Sequence, residues 1–217
     1  MKDTITSQQL LDSLNWRYAT KQFDPKRKIN AQDWATLEAA LLLSPSSGGL
    51  QPWKFIVVTD PDMRAKLLPA SFGQPQITAA SHLVVFASKN NLVEADVDAL
   101  INRTVTTRGV PAESLATYRN MLVGGLVNSM DEPARNAWAR NQTFIPLGVL
   151  LTSAALLGID ACPMGGFDGA QYDEILGLKK DGYASAVIVT LGYRAPSDKY
   201  AQAAKVRFAR ESIFVHV

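Results

Sequence analysis

The sequence predicts a single α+β domain, in which helices pack around a small buried sheet. Three short runs at residues 55–59, 83–87 and 186–192 are rich in β-branched and aromatic residues, as in strands covered on both faces. Stretches with apolar residues at helical spacing separate these runs. A chain of 217 residues, 47% hydrophobic, can bury one sizeable core. We therefore expect one domain spanning residues 1–217.

Capping patterns indicate where the helices begin. Such signals occur at Thr6 with Gln9, Asn30 with Asp33, Pro61, Pro111, Pro133 and Asp168 with Gln171, and a short helical turn is expected from Gln76. Residues 91–108 and 111–129 are predicted as helices, and residues 144–157 as a buried helix ended by Gly158. Residues 212–217 have the composition of a strand but follow a polar segment. An isolated strand needs an edge to join, and a partner subunit would supply one.

Composition argues against several classes of protein. The net charge is only +2, from 22 basic and 20 acidic residues without a block of like charge, so we expect no nucleic-acid partner. One cysteine and two histidines exclude a disulfide framework and leave too few ligands for a structural zinc site. The most apolar window, residues 144–157, falls short of the roughly 20 residues that span a bilayer. With no signal-peptide pattern at its start, the chain is expected to be cytoplasmic.

The usual catalytic motifs are absent from the sequence. It contains no P-loop, no Gly-x-Gly-x-x-Gly after a strand and no Gly-x-Ser-x-Gly elbow. His82 precedes an apolar strand, where a structural histidine is the better interpretation. This shortage of acid, base and nucleophile sets indicates that a cofactor carries the chemistry.

Two segments instead suggest an anion pocket. Arg17 and Lys21 lie four residues apart at the end of the first helical pattern. Residues 43–53 combine prolines, glycines and hydroxyls, which is typical of an ordered loop between two elements.

These segments also carry a resemblance to a known family. Arg17-x-x-x-Lys21-x-Phe23, followed by Pro-Ser-Ser-x-x-x-Gln-Pro-Trp at residues 45–53, resembles the FMN-dependent nitroreductase family. Residues 163–168, Pro-Met-Gly-Gly-Phe-Asp, and 205–207, Lys-Val-Arg, follow in the family's order and spacing. The resemblance covers nearly the whole chain. It implies a nitroreductase-like fold, with a central mixed sheet flanked by helices and a C-terminal strand exchanged between the subunits of a homodimer.

The same resemblance implies a tightly bound FMN, with NADH or NADPH as hydride donor. The reaction would be ping-pong hydride transfer through flavin N5 to a nitroaromatic, a quinone or a flavin, with no catalytic side chain and no metal. The cofactor would be held by Arg17, Tyr18, Ala19, Lys21, Pro45, Ser46, Ser47, Gly49, Gln74, Gln76, Pro163, Met164, Gly165, Gly166, Lys205 and Arg207. In this resemblance the cations of the set would bind the phosphate, and the two glutamines would contact the pyrimidine edge of the flavin. The backbone of Gly165 would lie beside flavin N5.

In this resemblance the loop at residues 45–49 comes from the neighbouring subunit, and three positions depart from the family pattern. Gly49 stands where Asn is common, Gln76 where Lys is common, and Gly165 where Glu is common. Residues 100–140 would line the acceptor pocket, with Met121, Leu122, Val123 and Phe144 as wall residues.

The residues leave other functions open. The chain could be a flavin-binding dimer without turnover, or a relative that uses the same fold for reductive dehalogenation or for consuming its own flavin. A nucleotide-dependent transferase is disfavoured by the missing P-loop.

Overall fold

The computed structural model describes residues 5–217. The helices are α1 Ser7–Trp16, α2 Ala31–Leu42, α3 Pro61–Ala70, α4 Gln76–Ala79, α5 Glu94–Arg108, α6 Ala116–Leu122, α7 Glu132–Gln142, α8 Phe144–Leu156 and α9 Gly169–Ile175. The strands are β1 Trp53–Val58, β2 His82–Lys89, β3 Asp160–Met164 and β4 Tyr183–Gly192. The α+β class is therefore confirmed. No helix within the described range is long and apolar enough to cross a bilayer.

The four strands form one sheet in the order β1-β2-β4-β3, and every neighbouring pair is antiparallel. Parallel pairing within residues 5–217 is confined to a one-residue bridge between Ala19 and Ala161. The sheet is thus mixed only through that bridge. The sequence does not show this, because a strand covered on both faces is apolar whichever way its neighbours run.

Local signals placed most elements correctly. The capping box of Thr6 and Gln9 opens α1, and the side chains of Asn30 and Asp168 cap α2 and α9. Gly158, with φ +68°, follows α8 as predicted. The predicted strands at residues 55–59, 83–87 and 186–192 match β1, β2 and β4.

The structure differs from the strand predictions at β3 and leaves one of them untested. Strand β3 was missed because Pro163 interrupts a short sequence, but proline is tolerated on an edge strand, and β3 is the last strand of the sheet. Residues 212–217 form no strand in the single chain, where Arg210–Ser212 is a 3₁₀ turn. A strand needs a neighbour, and within residues 5–217 this segment pairs with no strand, so its exchange with a partner subunit stays a prediction.

The core lies on both faces of the sheet. In β2, Val84 and Phe86 pack with α2 and α8, whereas Leu83 and Val85 pack with α3, α4 and α9. A smaller cluster joins α5 and α6. The outer edge of β3 contacts the segment that follows α1.

Candidate active site

The segment after α1 lies along the edge of β3. Ala19 bridges Ala161, and the Thr20 N–H donates to the Ala161 carbonyl at 3.4 Å. Arg194 fixes this arrangement, since its backbone N–H and its Nε each donate to the Asp160 carboxylate at 2.8 Å. The Arg194 guanidinium lies 4.2 Å from the ring centre of Trp16 and 4.6 Å from that of Tyr18.

A single buried carboxylate ties the C-terminal tail to the same segment. Asp198 Oδ2 accepts hydrogen bonds from the Lys21 N–H at 2.8 Å, the Gln22 N–H at 3.0 Å and the Tyr18 hydroxyl at 2.9 Å. Its Oδ1 accepts from the Tyr200 N–H at 3.1 Å. Burial by itself raises the pKa of Asp198, but the N–H donors of Gln22, Lys21 and Tyr200 outweigh it and hold the pKa below its usual value.

This clamp brings cations from both ends of the chain into one cleft of about 340 Å³. We call it the cation cleft, and the cations that line it are Arg17, Lys21, Lys205 and Arg207. Tyr18, Ala19 and Tyr200 complete much of its wall. Within residues 5–217, none of these four cations lies within 4 Å of a carboxylate oxygen. The cleft therefore concentrates positive charge without neutralising it.

Two pKa shifts and one unpartnered donor also indicate an excess of positive charge in the cleft. Burial, followed by the charge of Arg207, lowers the pKa of Arg17. Burial, followed by the charges of Arg17, Arg207 and Arg194, lowers the pKa of Lys205, whose Nζ donates to the Arg17 carbonyl. Arg17 Nε is buried and has no hydrogen-bond partner in the described part of the chain. Such a donor is costly unless a ligand supplies an acceptor.

A second group of predicted residues lies beside the cation cleft. Gln76 is 4% exposed, and its Oε1 is buried without a partner within the described range. It lies near Cys162 of β3, which also feels the charges of Lys21 and Arg17; burial nevertheless raises the pKa of the Cys162 thiol. Gln76 and the cation cleft therefore adjoin β3 around the same residue.

The Gln74 side chain supports the glycines that follow β3. Its Nε2 donates to the Gly166 carbonyl at 2.8 Å and to the Ser71 carbonyl at 3.1 Å. Gly165 and Gly166 are exposed, and a Cβ added to either would meet no atom within 4 Å. A planar ligand can therefore approach this backbone closely. Pro163 and Met164 are part of β3 itself.

The predicted loop at residues 45–49, here called the serine loop, does not line the cation cleft. It is ordered, as expected: Ser46 Oγ accepts from the Gln51 N–H at 2.8 Å, and the Ser47 N–H donates to Gln142 Oε1 at 2.9 Å. The Tyr118 hydroxyl donates to the Gly48 carbonyl at 2.8 Å. In the single chain Pro45, Ser46, Ser47 and Gly49 are thus held against α6 and α7, apart from the other predicted site residues.

The structure also locates the remaining candidates. Leu122 and Val123 are buried in the α5–α6 cluster, whereas Met121 and Phe144 are exposed, so these four predicted wall residues form no common surface in one chain. His82 is structural, as predicted. Its Nδ1 lies 2.9 Å from Ser81 Oγ, and its ring stacks on Trp34 with 3.9 Å between ring centres.

Sequence reasoning missed the three residues that hold the cleft together, which are Asp160, Arg194 and Asp198. Each of them contacts residues that are far away in the chain. For example, Asp198 accepts a hydrogen bond from Tyr18, 180 positions earlier. The one local signal was Asp198 itself, which accepts from the Tyr200 N–H as the cap of a 3₁₀ turn.

Taken together, the structure is an α+β fold with a cleft in which four cationic side chains meet. A sequence model of the nitroreductase family matches residues 14–193. The chain is 36% identical over 219 aligned residues to a protein assigned as an NAD(P)H nitroreductase in Staphylococcus haemolyticus, an alignment that covers 94% of this chain and 96% of the relative. The chain belongs to the nitroreductase family, and it is an oxidoreductase.

Solved structures show the same fold. An NAD(P)H:FMN oxidoreductase assigned in Staphylococcus epidermidis superposes with a TM-score of 0.83 at 19% identity, and the match covers all of both chains. A protein assigned as a nitroreductase in Exiguobacterium sibiricum, crystallised in complex with FMN, superposes with a TM-score of 0.80 at 22% identity over all of both chains. At these identities the similarity establishes the fold alone.

Proposed function

We propose that the protein is an FMN-dependent oxidoreductase that takes hydride from NADH or NADPH and passes it to an electron-poor acceptor. The observation that carries the proposal is the cation cleft, in which, among residues 5–217, four cations meet without a carboxylate and Arg17 Nε lacks an acceptor. The FMN complex of the Exiguobacterium structure and the names of the sequence relatives support this choice of cofactor and donor.

The residues present fit FMN at both ends of the molecule. A phosphate monoester carries close to two negative charges and is best bound by charge-assisted hydrogen bonds, which Arg17, Lys205 and Arg207 can provide. The isoalloxazine ring has a pyrimidine edge with an N–H donor, and the unpartnered Oε1 of Gln76 is a buried acceptor on the same side of the fold. Two orphaned polar atoms thus have complementary partners on one ligand.

The protein's part in catalysis is to bind and orient. When bound, the flavin supplies hydride acceptance and donation at N5. The exposed backbone of Gly165 is the group we place beside that atom, and Gln74 keeps the adjoining glycine in position. The Cys162 thiol stays protonated because burial raises its pKa, so it does not act as a nucleophile. Solvent supplies the protons.

Gln76 sets the electrostatics at the pyrimidine edge. A lysine there would place a positive charge against the anionic reduced flavin, whereas Gln76 offers only an amide dipole. The reduced anion is therefore less stabilised in this chain than it would be beside a cation.

The serine loop has no role in the cleft of its own chain, so we propose that it completes the cleft of a second copy. Self-association is supported by apolar side chains that the single chain leaves uncovered. None of the residues of α1 is buried, and Leu11 is 54% exposed. In the tail, Phe208 and Val215 are each 85% exposed. A homodimer that exchanges these tails would cover them and give residues 212–217 an edge to pair with.

The acceptor class we propose is nitroaromatics, quinones or flavins, reduced in a ping-pong cycle in which donor and acceptor use the same open face in turn. The test is to purify the protein, add FMN, and follow NADH and NADPH oxidation with menadione and with nitrofurazone. Flavin absorbance that stays with the protein through gel filtration and acceptor-dependent oxidation are expected. A protein that retains no flavin contradicts the proposal, whereas retained flavin without turnover supports the alternative of a flavin-binding dimer.

A further inference from the structure

A second concentration of positive charge lies beside α3 and α4. A cavity of about 340 Å³, which we call the Arg64 cavity, is lined by Arg64, Lys28 and His82 together with Thr59, Pro61, Thr78 and Ser81. Among the residues that the structure describes, it shares no lining residue with the cation cleft, and its lining includes no carboxylate. The proposed FMN site makes no use of it.

Arg64 is a buried charge without a counter-ion. The residue is 4% exposed, and within residues 5–217 no carboxylate oxygen lies within 4 Å of its guanidinium. Buried charges in proteins are normally paired, because desolvation of an isolated ion is costly. Burial accordingly lowers the pKa of Arg64.

The guanidinium nevertheless keeps hydrogen-bonding capacity. Its Nε donates to the Val58 carbonyl at 2.8 Å, one Nη to the Ala80 carbonyl at 2.5 Å and the other to the Ser81 carbonyl at 2.7 Å. A guanidinium has five N–H donors, so these bonds fix its plane and leave one N–H on each terminal nitrogen. The fork is thus held rigidly while two donors remain for a ligand.

His82 lines the cavity beside its two cationic side chains, Arg64 and Lys28. Burial, followed by the charges of Arg64 and Lys28, lowers its pKa to about 4. The ring is held in place by Trp34 on one side and by Ser81 at Nδ1. It is therefore a fixed, neutral group that senses the charge placed beside it.

We propose that the Arg64 cavity binds the phosphate group of a small molecule, at a site separate from the flavin. The positive charges of Arg64 and Lys28, together with the Thr59 hydroxyl, suit a tetrahedral dianion better than a carboxylate, which carries one charge. The volume lies near the lower end of small-molecule pockets, about 300–1,000 Å³, and leaves room for the ester part of a phosphate monoester.

The test uses the two histidines of the chain as reporters. The FMN-saturated protein is titrated with inorganic phosphate, glycerol 3-phosphate and acetate while the imidazole NMR signals are followed, with His82→Gln used to assign them. A saturable shift of the His82 signal with both phosphates is expected, while the signal of His216 in the exposed tail stays in place. If glycerol 3-phosphate binds more tightly than inorganic phosphate, the ligand is a phosphate ester. If the two bind equally well, the ligand is free phosphate.

Matched variants identify the site. Lys28→Ala should weaken phosphate binding about tenfold, the loss expected for one charge-assisted contact. Lys26→Ala, an exposed neighbour outside the cavity, should leave the dissociation constant at His82 unchanged. The proposal is overturned if His82 does not respond to phosphate, if acetate binds as well as phosphate, or if Lys26→Ala and Lys28→Ala weaken binding equally.

Discussion

At the scale of single residues, the site holds an excess of positive charge, because the carboxylate of Asp198 lies beside four cations. The Asp198 oxygens accept hydrogen bonds from backbone N–H groups and from the Tyr18 hydroxyl. Asp198 therefore organises the cleft without neutralising its cations. Arg17, Lys205 and Arg207 are left to a ligand. Holding like charges together is unfavourable without an anion, and phosphate binding would relieve that repulsion.

Replacing Arg207 by alanine should weaken FMN binding about 10- to 100-fold, since a charge-assisted contact contributes roughly 1.5–3 kcal/mol. Fluorescence titration of the apoprotein with FMN measures the dissociation constant. Arg210→Ala is the matched control, because Arg210 belongs to the same tail but does not line the cleft. Equal affinities of the two variants would remove Arg207 from the phosphate site.

Replacing Asp198 by asparagine should lower the free energy of unfolding by about 1.5–3 kcal/mol at neutral pH and weaken FMN binding together with it. The folded pKa of Asp198 lies below its unfolded value, so its stabilisation is present above the unfolded pKa, about 3.9, and is lost as pH falls through the folded pKa. The difference between the two proteins should therefore shrink in acid.

Urea denaturation of both proteins across pH measures this difference. Asp181→Asn is the control, because Asp181 pairs with Lys54 in an exposed position away from the cleft. A difference between Asp198→Asn and the parent that stayed constant down to the lowest pH would show that its charge is not what stabilises the clamp.

At the scale of elements, the serine loop is shaped by its contact with α6. Gly48 has φ +59°, and a Cβ at this position would lie 2.7 Å from Leu122 Cδ2. The glycine therefore meets two demands at once, a left-handed backbone and a close approach to the helix. Leu122 itself is buried in the α5–α6 cluster with Val97 and Ile101 rather than lining a substrate wall.

Gly48→Ala should destabilise the protein by more than the roughly 1–2 kcal/mol that a left-handed alanine costs. Gly109→Ala isolates the backbone cost, because Gly109 has φ +65° after α5 and a Cβ there would meet no atom within 4 Å. The two variants are compared by thermal and urea unfolding. If both variants lose the same stability, the serine loop shifts to accommodate the methyl group at residue 48, and its packing against α6 is loose.

At the scale of the whole molecule, the single chain holds the two parts of the proposed site apart. The cation cleft lies at the edge of β3, while the serine loop packs on α6 and α7. If each loop completes the cleft of a second copy, an intact site draws on two chains. That arrangement makes the assembly testable by complementation.

A variant with Arg207→Ala and a variant with Ser46→Ala and Ser47→Ala should each retain FMN poorly. Mixed dimers of the two should regain one complete cleft, because an intact loop then meets an intact set of cations. Co-expression with two different affinity tags, followed by flavin absorbance of the doubly purified species, measures this. Mixed dimers with no more flavin than either parent would place loop and cations in the same chain's site.

The sequence by itself determined the features that depend on near neighbours. Helix caps such as Thr6 with Gln9 act over three positions, buried strands are apolar wherever they lie, and the order of cations and serine loop already indicated the family. Tertiary structure alone decided that β3 exists despite Pro163, that the strands run antiparallel, and that Asp198 joins the two ends of the chain. These contacts link residues up to 180 positions apart. Local patterns do not encode them, because such contacts form only when the whole core closes.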